Sequence, residues 1–223
     1  GETLREIDMA DVEQANPEIP IFNLQRVNYA KSPTHPNHIE PLPSNLDAAY
    51  PQFSAGDLVL SYHTTNLIFV IDPDSLQIKW WYVGAGDGQH DPDWHADGTI
   101  SIFNNRIRSK WRGLPEFSTI VKIDPATHSH ETILDGANYN FYSSINGHHY
   151  FTKDDTVIIT SAMQGRIFEV DLTTGRTVFD YVNSYNSEDE QTLHVSETFI
   201  IDAGTVDRWQ QTDCSDTNPN QRD

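Results

Sequence analysis

Residues 155–183 read DTVIITSAMQGRIFEVDLTTGRTVFDYVN, and the grammar of this stretch decides the fold. A short apolar run is followed by a polar turn. A second run ends at Asp171, a Thr/Gly turn follows, and a third run is rich in β-branched and aromatic residues. The same order recurs at 56–83, GDLVLSYHTTNLIFVIDPDSLQIKWWYV. It recurs again at 98–134, where GTISIFNN and STIVKIDPATHSHETIL flank an insert, RIRSKWRGLPEF. The aligned aspartates Asp72, Asp124 and Asp171 stand 52 and 47 residues apart. Short strands at this spacing, with almost no helical periodicity, indicate an all-β repeat fold. A period of about 50 residues fits one four-stranded blade of a β-propeller.

Three runs per repeat leave one strand to be found. It is expected in the linking stretch before each repeat, such as 141–151 (FYSSINGHHYF). Asp72-Pro73 and Asp124-Pro125 initiate turns that leave the ladder. A single short helix is expected from Asp8 to Asn16, ended by Pro17. Residues 197–209 (ETFIIDAGTVDRW) read as the start of a fourth unit. Gly1 to Ile7 resembles the outer strand Gly175 to Tyr181. The 223 residues therefore read as a single propeller domain of about four blades, with 210–223 as a disordered or extended tail. Either residues 1–7 complete the last blade of a small ring, or the chain is part of a larger one. Unpaired edges on an open arc favour remaining blades supplied by another chain or segment.

Composition narrows the partners. Lys and Arg number 14 against 33 Asp and Glu, a net charge of -19. Such a surface repels phosphate backbones and anionic lipid, which argues against nucleic-acid binding and membrane docking. Cys214 is the one cysteine, so no internal disulfide can form. No apolar run approaches the roughly 18 residues of a membrane span. Residues 1–20 are acidic and polar, so an export signal, if the protein is exported, lies outside this sequence.

Two histidine-bearing loops point to chemistry. His90 follows a Gly-rich loop (Gly84, Gly86, Gly88), just before the strand run at 97–105. His35, Asn37 and His38 sit in a loop one repeat earlier. Equivalent points of a repeated sheet suggest a shared polar centre. His38 and His95 read as ordinary loop residues, and His148-His149 as a turn pair facing two directions. Trp80, Trp81, Tyr82 and Trp94 read as blade packing. The insert from Arg106 to Arg112 reads as a solvated basic loop. No Cys-x-x-Cys or His-Glu-x-x-His pattern occurs, and the acidic stretch from Asp87 to Asp93 lacks the spacing of an EF-hand loop. No metal ligands are therefore assigned; bound calcium stays open.

The order of several motifs resembles the PAPS-independent bacterial arylsulfotransferases over about residues 1–205. These are His35-Pro36-Asn37-His38-Ile39, Gly56-Asp57-Leu58, Ser61-Tyr62-His63, Trp80, Gly84, Gln89-His90 and Phe103-Asn104-Asn105, with later pieces at 165–170 and 178–183. The resemblance implies a six-bladed propeller with its active site in the central funnel. It also implies a periplasmic or secreted location, no cofactor, and transfer of a sulfuryl group from a phenolic sulfate to a phenol through a sulfated histidine. Carried over, His90 is the nucleophile, His35 and Asn37 hold the sulfuryl group, and Gln89, Tyr62 and Asn104 border the substrate. Tyr62 stands where the family has an arginine, whose fork grips sulfate bidentately as tyrosine cannot. His63 next to it is expected to face away, since neighbours on a strand alternate. The competing reading is a non-catalytic propeller that acts as scaffold or ligand-binding subunit.

Overall fold

The structure, a computed structural model, describes residues 2–3, 5–19, 35–186, 191–201 and 203–211. Helix α1 (Met9–Ala15) comes first, where the sequence places it; the Asp8 side chain caps it by accepting from Ala10 N. Three four-stranded antiparallel sheets follow. The first holds β1 (Pro36–Pro41), β2 (Leu58–Tyr62), β3 (Leu67–Ile71) and β4 (Ile78–Val83). The second holds β5 (His90–Trp94), β6 (Ile100–Asn104), β7 (Thr119–Asp124) and β8 (Ser129–Asp135), and runs into α2 (Gly136–Tyr139). The third holds β9 (His148–Phe151), β10 (Thr156–Ser161), β11 (Arg166–Asp171) and β12 (Arg176–Val182). Spatial order follows chain order in every sheet, so each is one up-and-down blade of an all-β propeller. The strand missing from each repeat is the first: β9 lies within the expected stretch 141–151. β1 packs against β5 and β5 against β9, so these first strands line the inside of the arc.

Strand alternation builds the cores. On the first blade, Leu60 and Tyr62 pair with Phe69 and Leu67 on one face, while Val59 and Ser61 pair with Val70 and Ile68 on the other. The second of these faces meets the next blade: Val59, Ile68, Val70 and Trp80 pack with Trp94, Ile100, Ile102 and Val121. The first face is covered by α1 through Val12, with Ile7 and Met9 at the margin. Asn16 fastens this cover, donating to Leu76 O at 2.8 Å and accepting from Ile78 N at 2.9 Å. Between the second and third blades lie Phe103, Ile120, Phe141, Val157, Ile159 and Phe168. Trp80 and Trp94 are buried in the first interface, as expected, whereas Trp81 is 39% exposed.

Three expectations change. Residues 197–209 do not start a fourth blade of this kind. Residues 197–201 form no strand, and Ala203–Gln211 form helix α3, which also takes in the first two residues of the expected tail. The rest of that tail lies outside the described residues. After the third blade the only strands among the described residues are those of a two-stranded ribbon, β13 (Ser184–Asn186) with β14 (Gln191–Thr192). The described residues of 1–7 are not a strand; Arg5 instead reaches the first blade and pairs with Asp74 at 2.6 Å.

The repeated aspartates all close turns. Asp72 Oδ1 accepts from Asp74 N and Ser75 N, Asp124 Oδ1 from Ala126 N and Thr127 N, and Asp171 Oδ1 from Thr173 N and Thr174 N. Bonding from the Thr127 hydroxyl, with the two amides, lowers the pKa of Asp124 below its ordinary 3.8. A depressed carboxylate contributes stability that is present above the unfolded value and lost as pH falls through the folded one. Asp124→Ala is therefore expected to lower the urea midpoint at pH 7. The difference from the unmodified protein should shrink below pH 3.8, which paired urea titrations would show.

Candidate active site at the inner ends of the blades

The three first strands bring their histidines to one place. A cleft of about 240 Å³ is lined by Asn37 and His38 from β1, His90 and Asp91 from β5, His148 from β9, and Asn146, Gly147, Ser196 and Glu197. The turn before β5 needs glycine at position 88. Its φ is +71°, and a Cβ there would lie 2.7 Å from Ile107 and 3.0 Å from the His63 ring.

His90 is held in one tautomer. Asn105, fully buried just after β6, donates from Nδ2 to Ser143 O at 2.9 Å and Asn146 O at 2.6 Å. Both amide protons are thereby committed to carbonyls, so Oδ1 faces the histidine. It lies 2.8 Å from His90 Nδ1, which must donate to it. The lone pair of the neutral ring is then on Nε2. Burial lowers the basicity of His90, and the hydrogen bonds to Asn105 and Gly88 only partly oppose it. The ring is therefore kept neutral, as a nucleophile must be.

The remaining assigned residues divide. Asn37 lines the cleft and donates to Gln89 O at 2.7 Å. Gln89 is fully buried, and its Nε2 donates to Ser61 Oγ at 3.1 Å and to Tyr62 O and Leu67 O, both at 3.3 Å. It ties the second blade to the first and does not border the cleft. Asn104 is likewise a brace: Oδ1 accepts from Asp87 N and Arg106 N, and Nδ2 donates to Thr119 Oγ1. Tyr62 points into the α1-covered core, edge-on to Phe69 at 4.9 Å, away from the cleft. His63, expected to face away, instead packs edge-on to His90 at 5.5 Å and against His35 at 4.9 Å. Alternation fails there because β2 ends at Tyr62 and His63 already belongs to the turn. Burial, then the neighbouring His90 and His35, lower its pKa to about 4.

Residues read as bland turn out to be central. His38 lies in β1, 3.7 Å from Asp91, and burial lowers its pKa to about 4. His148 Nε2 stands 3.2 Å from Asp91 Oδ1, and His149 Nδ1 stands 2.8 Å from Asp91 Oδ2. The His-His doublet after Gly147 is the signal that could have found them, once read as the start of a first strand equivalent to 90–91. The basic insert is anchored: Arg108 pairs with Asp87 and donates to Asn66 Oδ1 at 3.1 Å, while Trp111 is exposed.

Among solved structures the chain is similar to Kuenenia stuttgartiensis hydrazine synthase, at 12% identity and TM-score 0.46, covering 70% of this chain and 38% of that one. It is also similar to the Dos1 propeller, at 11% identity and TM-score 0.44, covering 70% and 37%. A virginiamycin B lyase from Staphylococcus aureus aligns at 14% identity and TM-score 0.42, covering 71% and 45%. The chain thus spans less than half the length of each of these. No curated protein matches it significantly. The sequence model of the arylsulfotransferase (ASST) family matches residues 2–184, a span that contains all three blades and His90. The chain therefore belongs to the arylsulfotransferase family.

Proposed function

We propose that the chain moves a sulfuryl group from a phenolic sulfate to a phenol, with His90 as the covalent relay. The observation that carries this is the tautomer fixed by Asn105, which leaves the Nε2 lone pair on a neutral ring at the cleft. Nε2 attacks the sulfur of the donor. The N–S bond forms as the S–O bond to the aryl group breaks, and the electron pair leaves on the phenolate oxygen. The proton stays on Nδ1 and is donated in a hydrogen bond to Asn105 Oδ1, which steadies the cationic sulfated ring. The acceptor phenol oxygen then attacks sulfur, its proton passes to solvent, and the N–S pair returns to Nε2. Asn37 keeps one amide proton beyond its bond to Gln89 O, and His38 and His148 line the same cleft. These groups are placed to donate to sulfuryl oxygens. His35, expected to hold the sulfuryl group, packs on His63 and does not line the cleft.

The test is to expose the protein to p-nitrophenyl sulfate without acceptor and map the adduct by peptide mass spectrometry. One SO3 group on the peptide bearing His90, discharged by added phenol, is the expected result. An unmodified peptide, or an adduct that persists in His90→Ala, overturns the reading.

The alternative, a scaffold role, has one observation behind it. The face of the third blade turned away from the second exposes Tyr150, Phe179 and Tyr181, side chains that a further blade would cover. Sedimentation of the isolated chain as a stable monomer would count against a partner there.

A further inference from the structure

We propose that Asp91, Asp93 and His149 bind a divalent transition-metal ion that fastens the inner strands of the second and third blades. The proposal does not rest on the sulfuryl-transfer reading, although Asp91 also lines the cleft. One ligand atom from each of the three side chains lies within 4.8 Å of the others. Asp91 and Asp93 are two apart on β5, and His149 comes from β9 of the next blade.

Two buried atoms of these side chains lack a hydrogen bond, though Asp91 Oδ1 has His148 Nε2 at 3.2 Å. Asp91 is 2% exposed and His149 is 0% exposed, yet Asp91 Oδ1 and His149 Nδ1 make no hydrogen bond. His149 Nδ1 is 2.8 Å from Asp91 Oδ2, so the pair fails on direction and not on distance. That oxygen already accepts from His149 N at 2.7 Å. Orphaned buried acceptors are costly, and a shared cation satisfies several at once.

The surroundings are those of a ligand set. His149 Nε2 is bonded to Ser101 Oγ at 2.5 Å, and Ser101 Oγ to His95 Nε2 at 2.6 Å. Metal-bound histidines usually engage their second nitrogen in this way, which fixes the ring and leaves the other nitrogen for the ion. Glu40 of β1 faces the same group, its carboxyl within hydrogen-bonding reach of Asp93. Three carboxyls this close need protons or a countercharge to share the space. An imidazole with two carboxylates suits zinc or manganese; calcium prefers six to eight oxygens.

The experiment uses the full chain, stripped with a chelator and dialysed. Zinc chloride is titrated by calorimetry, and thermal unfolding is followed with zinc, manganese and calcium in turn. One zinc per chain and a higher melting temperature are expected, with calcium the weakest of the three. Asp93→Asn keeps the side chain's shape at a partly exposed position and should weaken zinc binding at least about tenfold. The control His128→Ala/His130→Ala, remote from the cluster, should bind as the unmodified protein does. Absence of stoichiometric binding, or undiminished binding in Asp93→Asn, overturns the proposal. Should Asp93→Asn fail to fold, X-ray absorption on the zinc-loaded unmodified protein decides. A first shell of oxygens with one imidazole nitrogen supports the site, and a shell of several imidazoles refutes it.

Discussion

His90→Ala is expected to reduce turnover of p-nitrophenyl sulfate with a phenol acceptor by about 10⁴-fold or more, to background. Among the described residues, no other ring at the cleft has its lone pair fixed in this way. His38 and His148 lie beside Asp91, and His63 is packed behind His90. Asn105→Ala should also lower kcat, by roughly 10²-fold or more, since a ring free to change tautomer loses the oriented nucleophile, as other orienting partners show. KM should change little, because Asn105 is fully buried and does not line the cleft. Initial rates across donor concentrations separate the two parameters. A KM increase with unchanged kcat would assign Asn105 to substrate binding and remove it as the group that sets the tautomer.

Phe103→Ala should cost about 3–5 kcal/mol of unfolding free energy, the usual range for emptying a buried aromatic site. Phe103 is 0% exposed, pairs in register with His90 across β5 and β6, and packs 6.0 Å from Phe141 in the interface of the second and third blades. Its ring fills the space over Gly147, where even a Cβ would come within 2.5 Å of it. Little can move into the void without shifting the turn before β9. Phe103→Leu, which keeps most of the volume, should cost well under half as much. Urea denaturation of both variants measures the difference. Equal losses would mean that ring shape, and not filled volume, holds the two blades.

The blades were legible because two signals agree locally. Period-two runs set the strands, and each repeat's aspartate closes its turn with its own following amides. Helix α1 was legible for the same reason: Asp8 caps it and Pro17 follows it. The helix at 203–211 was not, because a short apolar run such as Phe199 to Ile201 does not distinguish strand from helix, and Val206 with Trp209 gives only one helical spacing. Site residues split along the same line. His90 stood out through its glycine loop, while Asp91, His148 and His149 meet only when residues 58 apart are brought together by two first strands. Gln89 and Asn104 misled because a polar residue beside a reactive one can equally be the brace that holds its loop. His63 misled because alternation was extended one residue past the strand's end.

The cover that α1 gives the first blade has a dynamic consequence. β2 and β3 are sealed from both sides, by α1 and by the second blade, whereas every residue of β12 is exposed on the far side of the third. Local opening should therefore be graded along the chain, rarest near the amino end and commonest in the last sheet. Amide exchange and limited proteolysis would both enter the molecule through β12 and travel inward toward the cap.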